Sequence, residues 1–508
     1  MDFPDTQTPP ERPSRGRAAS GIGLLALALY AALLARNVGA VAAGSDSSGY
    51  MNHARLLASG SVHVQPRAIP GLAQKDAAPF LYVPLGFKPA WNGDGLVPTY
   101  PAGVALLVLA FEPVAGWGHA GDLMIALHSV VGLAATFGLG RMLGLGRLWS
   151  ALAAAIVGLS PLYLFFSLQA MSDVPSLAWT ALAVLAALKS RGSAPWALAA
   201  GAALALDVLL RPTNVLAFIP VAVALGASPR RWILLGLGGL PGAAFFLVHS
   251  QAAYGSFETT GYGDYSSMFG AGFVPATLLH YALWLPALLT PLVALNLALP
   301  WVASIAGRTR WLLGTWILAF AAFYSTYKLT QENWWYLRFL LPAVPAMAVG
   351  SLLVLRSALS RVRARAARGE SAIVFATVLA LAATLSFRLN RSLGTFYVGK
   401  EELRYAQAAE WMLRNVPANA VCLSMQASGA LFYYTDFTIV RWDFIDKGNV
   451  GRIESAIQAS GRPLYAVLFP SEYDDSRLPG SVMPGRWSEV GKVEGVKVLR
   501  RDFGAPKS

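Results

Sequence analysis

The chain has 508 residues, of which 55% are hydrophobic and 13% are charged, and its formal net charge is +13. A soluble protein carries about a quarter charged residues, so this composition argues against a soluble protein. Apolar runs near or above about 18 residues recur along most of the chain, which predicts a polytopic α-helical membrane protein. The single cysteine, Cys422, excludes an intramolecular disulfide and a cysteine-rich metal site.

The positive charge lies mostly in arginine clusters between the apolar runs. Such clusters are typical of the cytoplasmic ends of membrane helices, so we expect no nucleic-acid partner. If about eleven helices cross the membrane, every internal cluster falls on the side of the N-terminus. Arg211, Lys328 and Arg338 are the exceptions, since they fall at the outer side or within the membrane.

Residues 1–18 are rich in Pro, Arg and Ser and are expected to form a disordered cytoplasmic tail. A membrane domain is predicted over 19–393, and its first span, about Gly21–Gly44, leads into a large outer loop over 45–121. Within this loop the apolar segment Tyr100–Phe111 is too short to span, so it is predicted to lie in the outer interface.

The later predicted spans are about Asp122–Gly140, Leu148–Leu168, Val174–Leu188, Ala194–Leu209, Pro212–Leu225, Ile233–His249, Leu278–Ile305, Leu312–Tyr327, Phe339–Leu355 and Ile373–Phe387. From about Gly394 the composition becomes that of a soluble domain, and residues 394–508 are predicted to form a small α/β domain on the outer side. Its expected helices are Glu401–Leu413 and Val450–Ala459, and its expected strands are Ala420–Met425, Thr438–Trp442, Leu464–Phe469 and Val496–Arg500.

Two carboxylates lie where membrane helices meet water, and such charges are candidates for function because unpaired burial is costly. Asp46 directly follows the first span, and Asp173 lies in an outer turn before the fourth. Each has an alternative role as a helix N-cap. Together on one outer rim, they could divide the work of a general base from metal binding or acceptor positioning.

The cations near the membrane suggest an anionic ligand. Arg211 lies in an otherwise apolar stretch, and its planar guanidinium suits a phosphate, although a salt bridge to Asp207 is an alternative. Lys328, Glu332 and Arg338 form a further charged group beside two tryptophans. An interfacial aromatic belt accounts for the tryptophans but not for Arg338 at the mouth of the tenth span.

Short motifs follow one another along residues 20–390. They are Asp46-Ser47-Ser48-Gly49-Tyr50, Tyr100-Pro101-Ala102-Gly103, Met171-Ser172-Asp173-Val174-Pro175, Leu210-Arg211-Pro212-Thr213, Gly255-Ser256 with Thr260-Gly261-Tyr262, and Arg338-Phe339-Leu340-Leu341-Pro342. The ordered set resembles the GT-C polytopic glycosyltransferases, and most closely the protein O-mannosyltransferase-like branch that includes the lipid A aminoarabinose transferases. That family often has Asp-Glu where this chain has Asp46-Ser47.

The resemblance implies an enzyme that takes a hexosyl or pentosyl group from a polyprenyl-phosphate donor and passes it to an acceptor outside the membrane. It implies Asp46 as the base, cations that stabilise the leaving lipid phosphate, and Trp91 among the side chains at the sugar site. The catalytic candidates are Asp46 and Asp173. The substrate-binding candidates are Tyr50, Tyr100, Arg211, Lys328, Glu332 and Arg338.

Several alternatives stay open at this point. A secondary transporter, a lipid-carrier flippase or a partner protein without catalysis would also need many spans and buried charges. No His/Cys spacing resembles a zinc site, and a divalent cation, Mg or Mn, is left open as a cofactor. For the transferase that the resemblance implies, the sequence leaves the acceptor open among a glycan, a lipid and a protein. The Ala/Arg-rich composition favours a bacterial plasma membrane, with the N-terminus cytoplasmic and the C-terminal domain periplasmic.

Overall fold

The computed structural model describes residues 27–363, 370–473 and 480–503. The tail predicted over 1–18 and the start of the first predicted span therefore lie outside the described residues. The helices are α1 (27–37), α2 (Asp46–Ala58), α3 (Ala102–Met142), α4 (Arg147–Leu159), α5 (Pro161–Ser167), α6 (Asp173–Lys189), α7 (Trp196–Leu210), α8 (Phe218–Leu225), α9 (Pro229–Tyr254), α10 (Val274–Leu289), α11 (Gly307–Ser325), α12 (Val344–Arg363), α13 (Glu370–Ser392), α14 (Val398–Asn415), α15 (Ser428–Tyr434), α16 (Val450–Ala459) and α17 (Pro470–Tyr473).

In the described part of the chain, four helices are long and apolar enough to cross a membrane. They are α3, α9, Ala271–Leu289 and Trp334–Ser360. The consecutive helices α4 and α5 meet at 64° and would make a fifth span if they cross together. Shorter apolar helices, such as α7, fill the bundle between them. The number of eleven spans stays a prediction.

Helix α3 joins two segments that the sequence predicts as separate. It runs for 41 residues, from the expected interfacial segment through the expected second span. The predicted break is a bend at Gly116, where φ is 66°. Residues 102–109 at the start of α3 are mostly buried, whereas the residues around the bend are mostly exposed. The start of α3 packs against α2 and α7, and Tyr100 just before it contacts Tyr50 of α2.

The predicted span Leu278–Ile305 is wrong as a single helix. Helix α10 ends at Leu289, Thr290 takes a positive φ of 74°, and the 3-10 helix Pro291–Trp301 follows. The cause is Pro291, because proline has no N–H to donate and disfavours the α conformation in the residue before it. The turn is held against α12 by Asn296, whose Nδ2 donates to the carbonyl of Met347 at 2.9 Å.

The C-terminal residues carry a five-stranded mixed sheet, whose strands lie in the spatial order Thr438–Val440, Val421–Leu423, Leu464–Leu468, Val496–Asp502 and Arg486–Val493. Its strands are β3 (Val421–Leu423), β4 (Thr438–Val440), β5 (Leu464–Leu468), β6 (Arg486–Val493) and β7 (Val496–Asp502), while β1 (Phe87–Pro89) and β2 (Leu96–Pro98) form a hairpin in the outer loop. β3 pairs in parallel with β4 and β5, and β7 is antiparallel to β5 and β6. The sequence analysis missed β6, an edge strand whose largely exposed residues show no apolar face.

The C-terminal part packs directly over α2. The backbones of Gly39 and Gly399 lie so close that a Cβ on either would overlap the other. Nδ2 of Asn52 donates to the carbonyl of Gly429 at 3.0 Å, and a guanidinium N–H of Arg55 donates to that of Tyr433 at 2.5 Å. The helix that begins with Asp46 is therefore enclosed between the apolar bundle and the C-terminal part.

Candidate active site

Asp46 and Asp173 each begin a helix, but neither acts as a side-chain cap. Asp46 is the first residue of α2, and its Oδ2 accepts two N–H bonds from the guanidinium of Arg338, both at 3.2 Å. Asp173 is the first residue of α6, and its Oδ1 accepts a bond from Arg211 at 2.6 Å. Both carboxylates therefore bind arginines and not the backbone of their own helices.

Arg211 pairs with Asp173 and not with Asp207, so the alternative salt bridge is wrong. Helix α7 ends at Leu210, and Arg211 is extended, with φ −150° and ψ 117°. Its side chain therefore leaves the face on which Asp207 lies. The Asp207 carboxylate instead accepts hydrogen bonds from the side chains of Thr180 and Asn214.

Asp173 connects the two arginines. Its Oδ1 lies 3.9 Å from Nε of Arg338 in addition to its contact with Arg211. Its side chain is fully buried, and Nε of Arg211 donates to Oγ of the neighbouring Ser172 at 2.8 Å. Two cations and two carboxylates thus form one compact cluster, in which Asp173 lies beneath the guanidinium groups and Asp46 faces open space.

The open space is a cavity of about 600 Å³. It is lined by Asp46, Tyr50, Tyr100, Arg211, Pro212, Thr213, Thr260, Tyr262, Gly263, Tyr265, Met268, Phe269, Tyr324, Tyr327, Leu329, Tyr336, Arg338 and Phe339. One carboxylate and two guanidinium groups therefore face a pocket that is otherwise mostly tyrosine and other aromatic side chains. Aromatic faces with neutral hydroxyls suit a sugar ring, and guanidinium groups suit a phosphate.

The outer tyrosines of the cavity are neutral hydrogen-bonding groups. Burial, reinforced by the charge of Asp46, raises the pKa of Tyr100 well above its usual range. Burial has the same effect on the pKa of Tyr262, to which Tyr50 and Asp46 add. These hydroxyls stay protonated at physiological pH. They suit the recognition of sugar hydroxyls, and Asp46 is the one carboxylate among the residues that line the cavity.

The other predicted site residues lie away from this cavity wall. Lys328 and Glu332 are exposed, although Leu329 between them does line the cavity. Trp91 is 64% exposed and packs against Gly255. The sequence analysis quoted Tyr262 and Phe339 in motifs without assigning them to the site, and it missed the aromatic residues Tyr265, Phe269, Tyr324, Tyr327 and Tyr336. The quoted motifs at Thr260-Gly261-Tyr262 and Arg338-Phe339 marked only part of the aromatic lining.

The glycine of Tyr100-Pro101-Ala102-Gly103 lets α3 approach the end of α7. A Cβ on Gly103 would overlap the backbone of Leu209 and Leu210. Leu210 immediately precedes Arg211, so this contact fixes where the Arg211 side chain begins. The motif therefore contributes Tyr100 to the cavity wall and a close helix contact behind it.

We expect Gly103→Ala to destabilise the protein by about 1–3 kcal/mol, because the added methyl group meets backbone atoms that cannot rotate away. Gly118→Ala is the matched control, since Gly118 lies on the same helix with no atom within 4 Å of its added Cβ. Thermal unfolding of both variants in detergent measures the effect. Equal midpoints for the two variants would show that the contact at Gly103 is not tight.

Metal ligands are not assigned. Among residues 27–363, 370–473 and 480–503, no three His, Cys, Asp or Glu side chains form a group that could hold a metal ion. Two of the buried histidines, His53 and His249, contact each other through their Nε2 atoms at 3.0 Å.

No model of a known protein family matches this sequence, and no curated protein matches it. Solved structures do match. ArnT from Cupriavidus metallidurans, bound to undecaprenyl phosphate, aligns with a TM-score of 0.58 over 96% of this chain and 99% of its own, at 14% identity. The chain has the GT-C fold.

Two further GT-C structures agree. The oligosaccharyltransferase of Archaeoglobus fulgidus, tethered to an acceptor peptide, matches with a TM-score of 0.55 and 14% identity over 88% of this chain and 69% of its own. The mycobacterial arabinofuranosyltransferase AftD matches with a TM-score of 0.50 and 16% identity over 94% of this chain and 41% of its own. The predicted resemblance is confirmed at the level of the GT-C fold.

Proposed function

We propose that this protein transfers a hexosyl or pentosyl group from a polyprenyl-phosphate donor to the hydroxyl of a glycan, lipid or protein acceptor. The observation that carries the proposal is the convergence of Asp46, Arg211 and Arg338 on one tyrosine-lined cavity. The cavity offers a base, two phosphate-binding cations and aromatic faces in one place. The GT-C fold supports the same conclusion, since two solved members hold undecaprenyl phosphate and dolichol phosphate.

The reaction is a single displacement. The acceptor oxygen attacks the anomeric carbon while Asp46 takes the hydroxyl proton. The bond between the anomeric carbon and the phosphate oxygen breaks, and its electron pair stays on the lipid phosphate. Arg211 and Arg338 stabilise that growing negative charge. Because one bond forms as the other breaks on the opposite face, the configuration of the anomeric carbon inverts.

Arg338 couples the binding of the donor to the freeing of the Asp46 carboxylate from its ion pair. Without a donor, its N–H groups bind the Asp46 carboxylate at 3.2 Å. A phosphate competes for the same N–H groups, because guanidinium binds phosphate and carboxylate with the same fork geometry. The bound donor therefore frees Asp46 to accept a proton. Asp173 keeps Arg338 and Arg211 in place throughout, so we assign it a positioning role.

The aromatic lining holds the sugar. Tyr50 and Tyr100 lie with ring centroids 5.2 Å apart beside Asp46, and Tyr262 packs edge-on against Tyr100 at 6.0 Å. This cluster is on the Asp46 side of the cavity, where the anomeric carbon must lie for attack. We place the protein in the bacterial plasma membrane, with its N-terminus cytoplasmic and its C-terminal part periplasmic, so that the cavity opens toward periplasmic acceptors.

The test uses purified protein in nanodiscs with a panel of polyprenyl-phosphate hexoses and pentoses. We expect acceptor-dependent release of free polyprenyl phosphate from at least one donor, with inverted configuration in the product. Binding of the carriers without release of polyprenyl phosphate from any donor would overturn the proposal. Movement of the intact carrier across the bilayer of liposomes, without release, would identify a flippase in its place.

We expect Arg338→Gln to lower transfer by about 10²- to 10³-fold, the usual cost of removing one donor to a developing negative charge. Initial rates across donor concentrations measure it, and binding of undecaprenyl phosphate should weaken as well. Arg391→Gln is the control, because Arg391 is an exposed arginine of α13 outside the cavity wall. A normal rate for Arg338→Gln would remove this arginine from phosphate binding.

A further inference from the structure

Glu402, from the C-terminal part, touches the turn that carries Asp46. The hydroxyl of Ser47 donates to Oε2 of Glu402 at 3.3 Å and lies 3.7 Å from Sδ of Met171. Ser47 is 2% exposed and directly follows Asp46 in the chain. A group that fixes Ser47 therefore also fixes the backbone from which the Asp46 carboxylate extends.

Packing on both sides of Glu402 holds the backbone of this helical turn in place. Gly399, one turn earlier on α14, lies directly against the backbone of Gly39. Tyr405, about one turn later, accepts a hydrogen bond from Nε2 of Gln426 at 2.7 Å, and its ring lies 4.3 Å from that of Phe469. The start of α14 is thus anchored to the bundle at one end and to the C-terminal sheet region at the other.

The surroundings of Glu402 favour its neutral form. The titratable groups that face it are Asp46 of α2 and Glu401 and Tyr405 of α14. Burial, with smaller contributions from the charges of Asp46 and Glu401, raises the pKa of Glu402 to about 8, although the Ser47 hydrogen bond lowers it in part. Most Glu402 side chains are therefore protonated at pH 7.

We propose that Glu402 is a positioning residue of the active site, which holds Ser47, and with it Asp46, through a neutral carboxyl group. The inference rests on the function proposed above. An ionised Glu402 would add a second negative charge near Asp46, and the repulsion between the two carboxylates would drive the half-buried Glu402 side chain away from Ser47 and toward water. The turn then loses its support, and the base leaves the position in which it accepts the proton.

The activity test compares wild type with Glu402→Gln over pH 7 to 9. If the neutral form alone supports transfer, wild-type kcat falls about tenfold over this range, following the protonated fraction of a group with a pKa of about 8. Glutamine cannot ionise, so the variant should lack this decline. Glu410→Gln is the control, since Glu410 is an exposed residue of the same helix, paired with Arg414, and it should decline like wild type.

A stability test needs no substrate. Glu402 titrates at about 8 in the folded protein and near its ordinary value of 4.5 when unfolded. Between these values the folded state binds more protons, so the free energy of unfolding falls as pH rises from about 4.5 to about 8 and levels off above that. The Tm of wild type should therefore fall relative to that of Glu402→Gln over this range.

The outcomes separate this inference from the proposed function. If the Tm of wild type and that of Glu402→Gln change with pH in the same way, the claim that Glu402 is neutral in the folded protein is overturned, whether or not the enzyme is active. If kcat declines from pH 7 to 9 equally in wild type and Glu402→Gln, the positioning role of Glu402 at the active site is overturned. If the Tm of wild type falls relative to that of Glu402→Gln but no donor releases polyprenyl phosphate, the neutral carboxyl group is supported. The proposed function is then overturned, and the positioning role with it.

Discussion

Replacing Asp46 with Asn is expected to lower sugar transfer by about 10²- to 10⁴-fold, the range that a positioned general base contributes. Asparagine keeps the size of the side chain but cannot accept the acceptor proton. It also removes the charge that binds Arg338 at 3.2 Å in the absence of a donor. Binding of undecaprenyl phosphate should therefore stay the same or become tighter while the rate collapses.

The measurement is the release of free polyprenyl phosphate by wild type and Asp46→Asn at saturating donor, with carrier binding measured in parallel. Asp94→Asn is the control, because Asp94 is an exposed carboxylate of the outer loop that accepts a hydrogen bond from Gln65 at 2.9 Å. Equal rates for Asp46→Asn and wild type would remove Asp46 from catalysis. A loss of rate caused only by weaker carrier binding would make it a binding residue.

Replacing Asp173 with Ala is expected to lower the free energy of unfolding by about 3–5 kcal/mol, because it leaves a buried cation without its partner. Arg211 is 7% exposed and is bound to Asp173 at 2.6 Å, and Arg338 shares the same carboxylate oxygen. Removing the carboxylate also leaves two guanidinium groups facing each other. Thermal and denaturant unfolding in detergent measure the loss.

A double variant separates stability from function at this cluster. Replacing a buried ion pair with apolar residues of similar volume is often neutral or stabilising, so Asp173→Leu combined with Arg211→Met should recover much of the lost stability. It should not recover transfer, because the cavity then lacks one of its two phosphate-binding cations. A double variant with full activity would show that Arg211 serves the fold alone.

Much of the fold and the centre of the site were visible in the sequence. Long apolar runs predict the bundle, and buried charge is so costly that Asp46, Arg211 and Arg338 stand out along the chain. The positions of α6, α7 and α9 follow from the same runs within a few residues. The break at Thr290 was missed because mean hydropathy does not register one proline and a positive φ.

The sequence alone predicts a membrane helix bundle and the charged residues at the ends of its helices, because the energy of burying a side chain depends on its residue type. The GT-C fold was predicted from a different feature, the resemblance of the ordered motifs to that family. Which charges pair depends on the three-dimensional packing and is not visible in the sequence. Asp207 precedes Arg211 by one helical turn, but the helix ends at Leu210, and the extended backbone turns the guanidinium toward Asp173. The contact of Ser47 with Glu402 joins positions 355 residues apart. No local sequence pattern predicts this contact, because it depends on how the C-terminal part packs over α2.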